Sequence, residues 1–144
     1  MYYVNREGIE RRLGCIPEIA EAMDRLAASW TGSLNEGLAQ ERVLHLALEI
    51  VTDVGNFLID GFMMRDASSY EDIVDVIAGE GVLSAEQAET FRGLVALRRP
   101  LVQEYDSWPR RELHPLTGNL AKLLTQFADD IRDYLRRELD PWEK

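Results

Sequence analysis

The sequence has a single cysteine, Cys15, and only two histidines, His45 and His114. One thiol excludes an intrachain disulfide and a cysteine-based zinc site, and it suits a reducing compartment. Two widely separated histidines exclude paired imidazoles at helical spacing. Glycine-rich phosphate loops are missing, as is a serine in a nucleophile elbow, so common nucleotide-binding and hydrolase signatures drop out. Long apolar runs are absent too: Glu49, Asp53 and Asp60 interrupt the greasiest stretch, well short of the roughly 20 residues a membrane span needs. The opening residues from Met1 to Glu7 run straight into charge and carry no secretory signal, so the expectation is a soluble, cytoplasmic protein with no membrane partner.

What remains is an ordinary globular mix, 46% apolar and 29% charged over 144 residues, which predicts one domain spanning 1–144. The net charge of -10 argues against loose, sequence-independent affinity for nucleic acid, which needs clustered Lys and Arg. That charge is uneven. The stretch from Arg92 to Arg111 holds Arg92, Arg98, Arg99, Arg110 and Arg111 against Glu104 and Asp106, a net +3 on a remainder of -13. Such an island marks either a phosphate site or arginines paired with carboxylates of neighbouring helices.

Apolar residues recur at steps of three and four throughout, and nothing alternates as a strand does. The first helix follows Asn5, a good N-cap, with a seam of Ile9, Leu13, Ile16, Ala20, Met23, Ala27 and Trp30. Pro17 should kink or split it. The second helix runs from about Asn35 to Phe62 and is apolar on most faces, which makes it the centre of the bundle. Ser68 with Glu71 and Ser84 with Gln87 read as capping boxes opening a third helix, closed at Gly79 or Gly81, and a fourth, with Pro100 at its end or at a kink. The last helix starts near Pro115 and gives way to a polar tail from Asp140 to Lys144. The fold class is therefore all-α, a five-helix, mostly antiparallel bundle. The first helix's seam, with large residues such as Trp30 at its edges, either serves a second copy in a homodimer or is used up within one chain.

Two polar features stand out. Glu49, Asp53, Asn56 and Asp60 are spaced 4, 3 and 4 apart, which draws one polar stripe on an otherwise apolar helix. Carboxylates there need partners: a ladder to Arg98, Arg99 or Arg65, a wet cleft, or a hard cation. The second feature is the segment from Leu97 to Tyr105. On an unbroken helix Arg98 and Tyr105, seven apart, share a side, but Pro100 disfavours helical geometry at Arg99 and frees the carbonyl of Ala96. His45, inside the apolar helix, reads as a core or boundary histidine, and His114, before Pro115, as a solvated loop residue.

That second segment resembles the signature of HEPN proteins and, among them, of the HepT-like toxins: an arginine, four to six residues, a histidine, any residue, a tyrosine. Arg98 takes the arginine place and Tyr105 the tyrosine place, with Leu101 and Val102 matching the apolar pair before the histidine. Gln103 stands where the histidine belongs, and Arg99 occupies a place often filled by asparagine. The opening Met1, Tyr2, Tyr3 and Val4, the block from Asp53 to Asp66, and Ser69 to Ile73 extend the likeness over nearly the whole chain, to the YutE-type branch of the family known from bacilli.

The resemblance implies a helical bundle that dimerises, with paired motifs lining a cleft that cuts RNA without metal or cofactor. It also implies a small nucleotidyltransferase partner, an antitoxin that modifies the motif tyrosine. Arg98, Gln103 and Tyr105 are then the catalytic positions, and Arg98 and Arg99 the phosphate-binding ones. The acidic stripe borders a pocket into which Arg98 and Tyr105 open. Chemistry qualifies the inheritance: a histidine near neutrality moves protons, an effect of roughly a hundredfold to ten-thousandfold, whereas Gln103 cannot titrate. Gln103 can still hydrogen-bond a phosphate or a base, and Arg98 can still neutralise charge. Three readings stay open: a ribonuclease toxin with weakened or lost catalysis, a dimer that binds RNA, nucleotide or protein without chemistry, and a scaffold whose polar stripe is structural. His114, reaching across the cleft or dimer, is a further candidate for the missing acid-base group.

Overall fold

A computed structural model describes residues 2–140, leaving Met1 and the tail residues 141–144 outside it. Among the described residues there are helices and no strands. In chain order they are α1 (Arg6–Leu13), α2 (Ile16–Ser29), α3 (Leu34–Gly61), α4 (Tyr70–Gly79), α5 (Ala85–Ala96), α6 (Arg98–Val102) and α7 (Pro115–Leu139), with a 3₁₀ turn at Tyr105–Ser107. The five helices read from the sequence are all present, two of them broken. The first breaks at Gly14 and Cys15, so that Pro17 falls in the opening turn of α2, where its missing N–H costs nothing. The fourth breaks at Leu97, and Pro100 lies inside the short α6.

Caps set most boundaries. The Asn5 side chain accepts from the N–H of Gly8 at 2.8 Å, and Ser84 and Gln87 form the expected reciprocal box. Two starts differ from expectation. Ser33 and Glu36 box the start of α3, placing it one residue earlier than the reading from Asn35. At α4 the cap is Ser69, not Ser68, because Asp72 is held by both Ser68 and Arg65, and its N–H is then presented to Ser69 Oγ.

The long α3, about 42 Å at 1.5 Å per residue, touches every other α-helix and is the centre of the bundle. Leu44, Leu48, Val51, Val54 and Leu58 along it are fully buried, joined by Phe91 of α5 and by Leu120, Leu124 and Phe127 of α7. Each such side chain contributes about 1.5–3 kcal/mol of transfer free energy. α2 lies along α7, and Ile9, Leu13, Ile16 and Met23 are buried there or against α3, so most of the first helix's seam is used within one chain. Trp30 is half-buried rather than left as an open edge.

The same helix positions the chain beyond α6. Gly37 lets the backbone of Arg110 rest on α3, since a Cβ there would lie 2.0 Å from the Arg110 carbonyl oxygen. One turn on, the fully buried Gln40 donates to the carbonyl of Glu112 and accepts from the N–H of His114 and the hydroxyl of Thr117. An amide that satisfies three groups of another segment fixes its path. Residues 103–114 are thereby strapped across the N-terminal half of α3.

Candidate functional site

Leu101 anchors α6 to the core, and this leaves the polar residues around it at the surface. The guanidinium of Arg98 donates through Nη1 to Glu49 Oε1 of α3 at 3.0 Å, and it lies over the ring of Tyr70, the first residue of α4, 3.9 Å from its centroid. A half-exposed ion pair and a cation–π contact contribute only about 0.5–1 kcal/mol each, less than one buried leucine. They orient Arg98 more than they stabilise the bundle.

Gln103 is exposed, and its backbone N–H closes α6 by donating to the carbonyl of Arg99 at 2.8 Å. Arg99 is exposed and pairs with Glu104 at 3.4 Å. Tyr105 is 59% exposed, and its carbonyl accepts from Arg110 Nη2 at 3.1 Å. Arg110 in turn grips both carboxylate oxygens of Glu41, one of them through Nη2 at 2.9 Å. The phenol of Tyr105 is thus carried by a backbone clamped from below while its ring stands in solvent.

The acidic stripe does not border a single site. Glu49 meets Arg98, but Asp53 pairs with Arg12 of α1 at 3.4 Å, and Asn56 and Asp60 are exposed further along. Arg65 is turned away from the stripe and pairs with Asp72. Hollows open between α2 and α7, between α5 and α7, and beside the α4–α5 turn, and none of them is lined by Arg98, Gln103 or Tyr105. Arg98, partly exposed, and Gln103 and Tyr105, exposed, lie at the surface.

His114 departs from the solvated loop role. Its Nδ1 accepts from the N–H of Leu116 as the N-cap of α7, its ring stacks on Trp108 with centroids 5.8 Å apart, and burial pulls its pKa below the usual histidine value. A ring committed to a cap is a poor proton shuttle. His45 is a boundary histidine, with Nε2 3.3 Å from Glu49 Oε1, the same oxygen that receives Arg98. Tyr70, Gln40 and Glu41 are contributors that sequence reasoning passed over, and His45 one that it read only as a core or boundary histidine. A signal for two of them was present: positions four and eight residues before Glu49, on the same helical face, are His45 and Glu41.

These features define a class first: a helical bundle that presents an arginine, an amide and a phenol on one short segment braced against its central helix. The chain belongs to the Ribonuclease HepT-like family, whose model matches residues 9–135. It is 38% identical over 141 residues to "Putative RNase YutE" of Bacillus subtilis (strain 168), covering 98% of this chain and 96% of that protein. The solved structure of the cytosolic protein YutE from Bacillus subtilis superposes with a TM-score of 0.86 at 37% identity, over 96% of each chain. A toxin–antitoxin crystal structure with AMP-PNP aligns with a TM-score of 0.74 at 13% identity, over 88% of this chain and 98% of the other. A mutant MntA–HpeT toxin–antitoxin structure gives 0.72 at 14%, with the same coverage. The last two likenesses establish the fold. No helix among the described residues is long and apolar enough to cross a membrane.

Proposed function

We propose that this protein is a HepT-like endoribonuclease of the toxin class that retains RNA binding and cleaves slowly, because Gln103 replaces the motif histidine. The observation that carries this reading is the posture of Arg98. One Nη group is engaged by a single carboxylate oxygen and the guanidinium face by Tyr70, so its remaining N–H donors are available to a phosphate beside exposed Gln103 and Tyr105. In this reading Arg98 neutralises the phosphate and its transition state, Arg99 adds charge at the rim, Gln103 orients the nucleotide, and Tyr105 positions the phosphate or receives a nucleotide modification.

The whole chain acts as one helical domain and works as a cytoplasmic homodimer. Exposed Leu34 and Leu38 on the first turns of α3, Val102 at the end of α6 and Leu113 on the strapped segment supply apolar surface for the two-fold mate. Two Arg98 surfaces then face one cleft. The toxin–antitoxin neighbours support a nucleotidyltransferase antitoxin as the second partner. A competing reading, a dimer that binds RNA, nucleotide or protein without chemistry, is favoured by one fact: an amide at position 103 cannot exchange protons.

Single-stranded RNA incubated with purified protein in EDTA and, separately, in magnesium distinguishes the two. Slow metal-independent cleavage, raised about a hundredfold or more by Gln103→His, is the expected result. Cleavage by Gln103→His alone makes the wild type a binding protein. Absence of cleavage by both proteins overturns the nuclease reading.

A further inference from the structure

The nuclease reading lacks an acid-base group at position 103, and the structure places a titratable side chain beside Arg98 from another helix. His45 sits one turn before Glu49 on α3, and Oε1 of Glu49 is shared: it lies 3.3 Å from His45 Nε2 and accepts from Arg98 Nη1 at 3.0 Å. The other ring nitrogen, Nδ1, is 3.4 Å from Nη1 of Arg42, an exposed side chain. A guanidinium can only donate, so the hydrogen bond from Arg42 puts an acceptor lone pair on Nδ1, while Nε2 lies beside the Glu49 carboxylate. His45, Glu49 and Arg98 are each about one-third exposed, so a substrate can reach them.

We propose that His45, held by Arg42 and lying beside Glu49, is the proton-transfer residue of this site, standing in for the histidine that Gln103 displaced. This rests on the reading of the Arg98 surface as a ribonuclease site. With a phosphodiester on Arg98, Arg42 swings aside and Nδ1 of His45 takes the proton of the ribose 2′-hydroxyl. The 2′-oxygen bonds to phosphorus, the bond from phosphorus to the 5′-oxygen breaks, and that oxygen leaves with a proton from water. The imidazolium returns its proton to solvent. The products are a 2′,3′-cyclic phosphate and a 5′-hydroxyl, and neither an oxidant nor a metal is consumed.

Charged groups surround the imidazole. Glu41, Glu49 and Arg42 flank it on α3, Arg98 approaches from α6, Arg110 of the strapped segment holds Glu41, and Tyr70 of α4 covers Arg98. A base works only when unprotonated, so any acid limb in the cleavage profile that comes from the imidazole should vanish when an amide replaces it.

The test measures kcat/KM for a labelled RNA from pH 5 to 9 with the wild type and with His45→Gln. Circular dichroism and binding of a 2′-O-methyl RNA report on the fold and the site. The expected result is a hundredfold to ten-thousandfold loss with His45→Gln, loss of the acid limb, and retained binding. Unchanged rate and profile in His45→Gln overturn the role of His45 while leaving the nuclease reading intact. A wild type that cleaves no RNA overturns both. Should His45→Gln not fold, His45→Asn takes its place, and the wild-type profile decides if neither folds: cleavage without any acid limb is enough to reject the proposal.

Discussion

Two arginine–carboxylate pairs on the surface of this bundle show opposite designs. In the 65–72 segment Arg65 meets Asp72 fork to fork, Nη1 on Oδ2 at 2.8 Å and Nη2 on Oδ1 at 2.9 Å, and the same carboxylate accepts from the N–H and hydroxyl of Ser68. Those bonds, Arg65 first and the Ser68 N–H next, hold the Asp72 carboxyl far below the ordinary carboxylate range. In the 98–105 segment Arg98 touches Glu49 through one nitrogen and leans on an aromatic face. The first pair is closed, a tie that fixes the chain between α3 and α4. The second is open, an arginine aimed by weak contacts with donors left over for something else. Ion-pair count does not separate a structural arginine from a binding one; the number of satisfied donors does.

Substitutions can break this contrast. The largest effect is expected for Arg98→Ala, which should lower RNA cleavage by about a hundredfold or more, as removal of a transition-state charge partner does. Arg65→Ala should leave cleavage within about twofold and cost about 1 kcal/mol or less of stability in urea unfolding. Equal losses of activity from both would erase the distinction. Next is Gly37→Ala, whose new Cβ would meet the Arg110 carbonyl at 2.0 Å. Overpacking against rigid backbone should cost about 1–3 kcal/mol, and the displaced strap should carry Tyr105 with it, lowering activity as well as the unfolding midpoint. Ser33→Ala removes the hydroxyl that accepts from Glu36 N–H and should cost about 1 kcal/mol. It lies outside the Arg98 cluster, so activity should hold at temperatures where the variant is folded.

The smallest effect concerns pH. Burial lowers the pKa of His114, so the folded state resists protonation that the unfolded chain accepts near 6.5. Stability should therefore decline as pH falls below about 6.5 and level off once the folded ring is also protonated. His114→Asn, which keeps a capping side chain without titrating there, should flatten that decline in thermal melts measured from pH 7.5 to 5. For Asp72, depressed in the folded state, the stabilisation is present above its unfolded pKa and goes only as pH falls through the much lower folded value. The 65–72 tie should thus outlast the His114 cap in acid.

The bundle was legible in the sequence because helix periodicity and caps are local. Asn5, the Ser84 and Gln87 box, Pro115 and the apolar α3 all read directly, and the break caused by Pro17 was anticipated. What local pattern could not decide was pairing. Asp53 has equal Coulombic claim to any arginine in reach, and only the docking of α1 onto α3 selects Arg12. The capping role of Ser69 depends on Asp72 being engaged by Arg65, seven residues before it in sequence. The motif around Arg98 was readable as a likeness, whereas the partners that aim its guanidinium, Glu49 and Tyr70, lie 49 and 28 positions away. His45 was visible one turn from Glu49, but without coordinates nothing separated it from other boundary histidines.

The central claim is that the 98–105 surface receives RNA through Arg98. A titration of fluorescently labelled, 2′-O-methyl single-stranded RNA, which binds without being cut, measures it directly on the wild type and on Arg98→Ala at one fixed salt concentration. A loss of affinity of about tenfold or more in Arg98→Ala, with an unchanged circular dichroism spectrum, is the predicted result. Equal affinity in the two folded proteins would contradict the account.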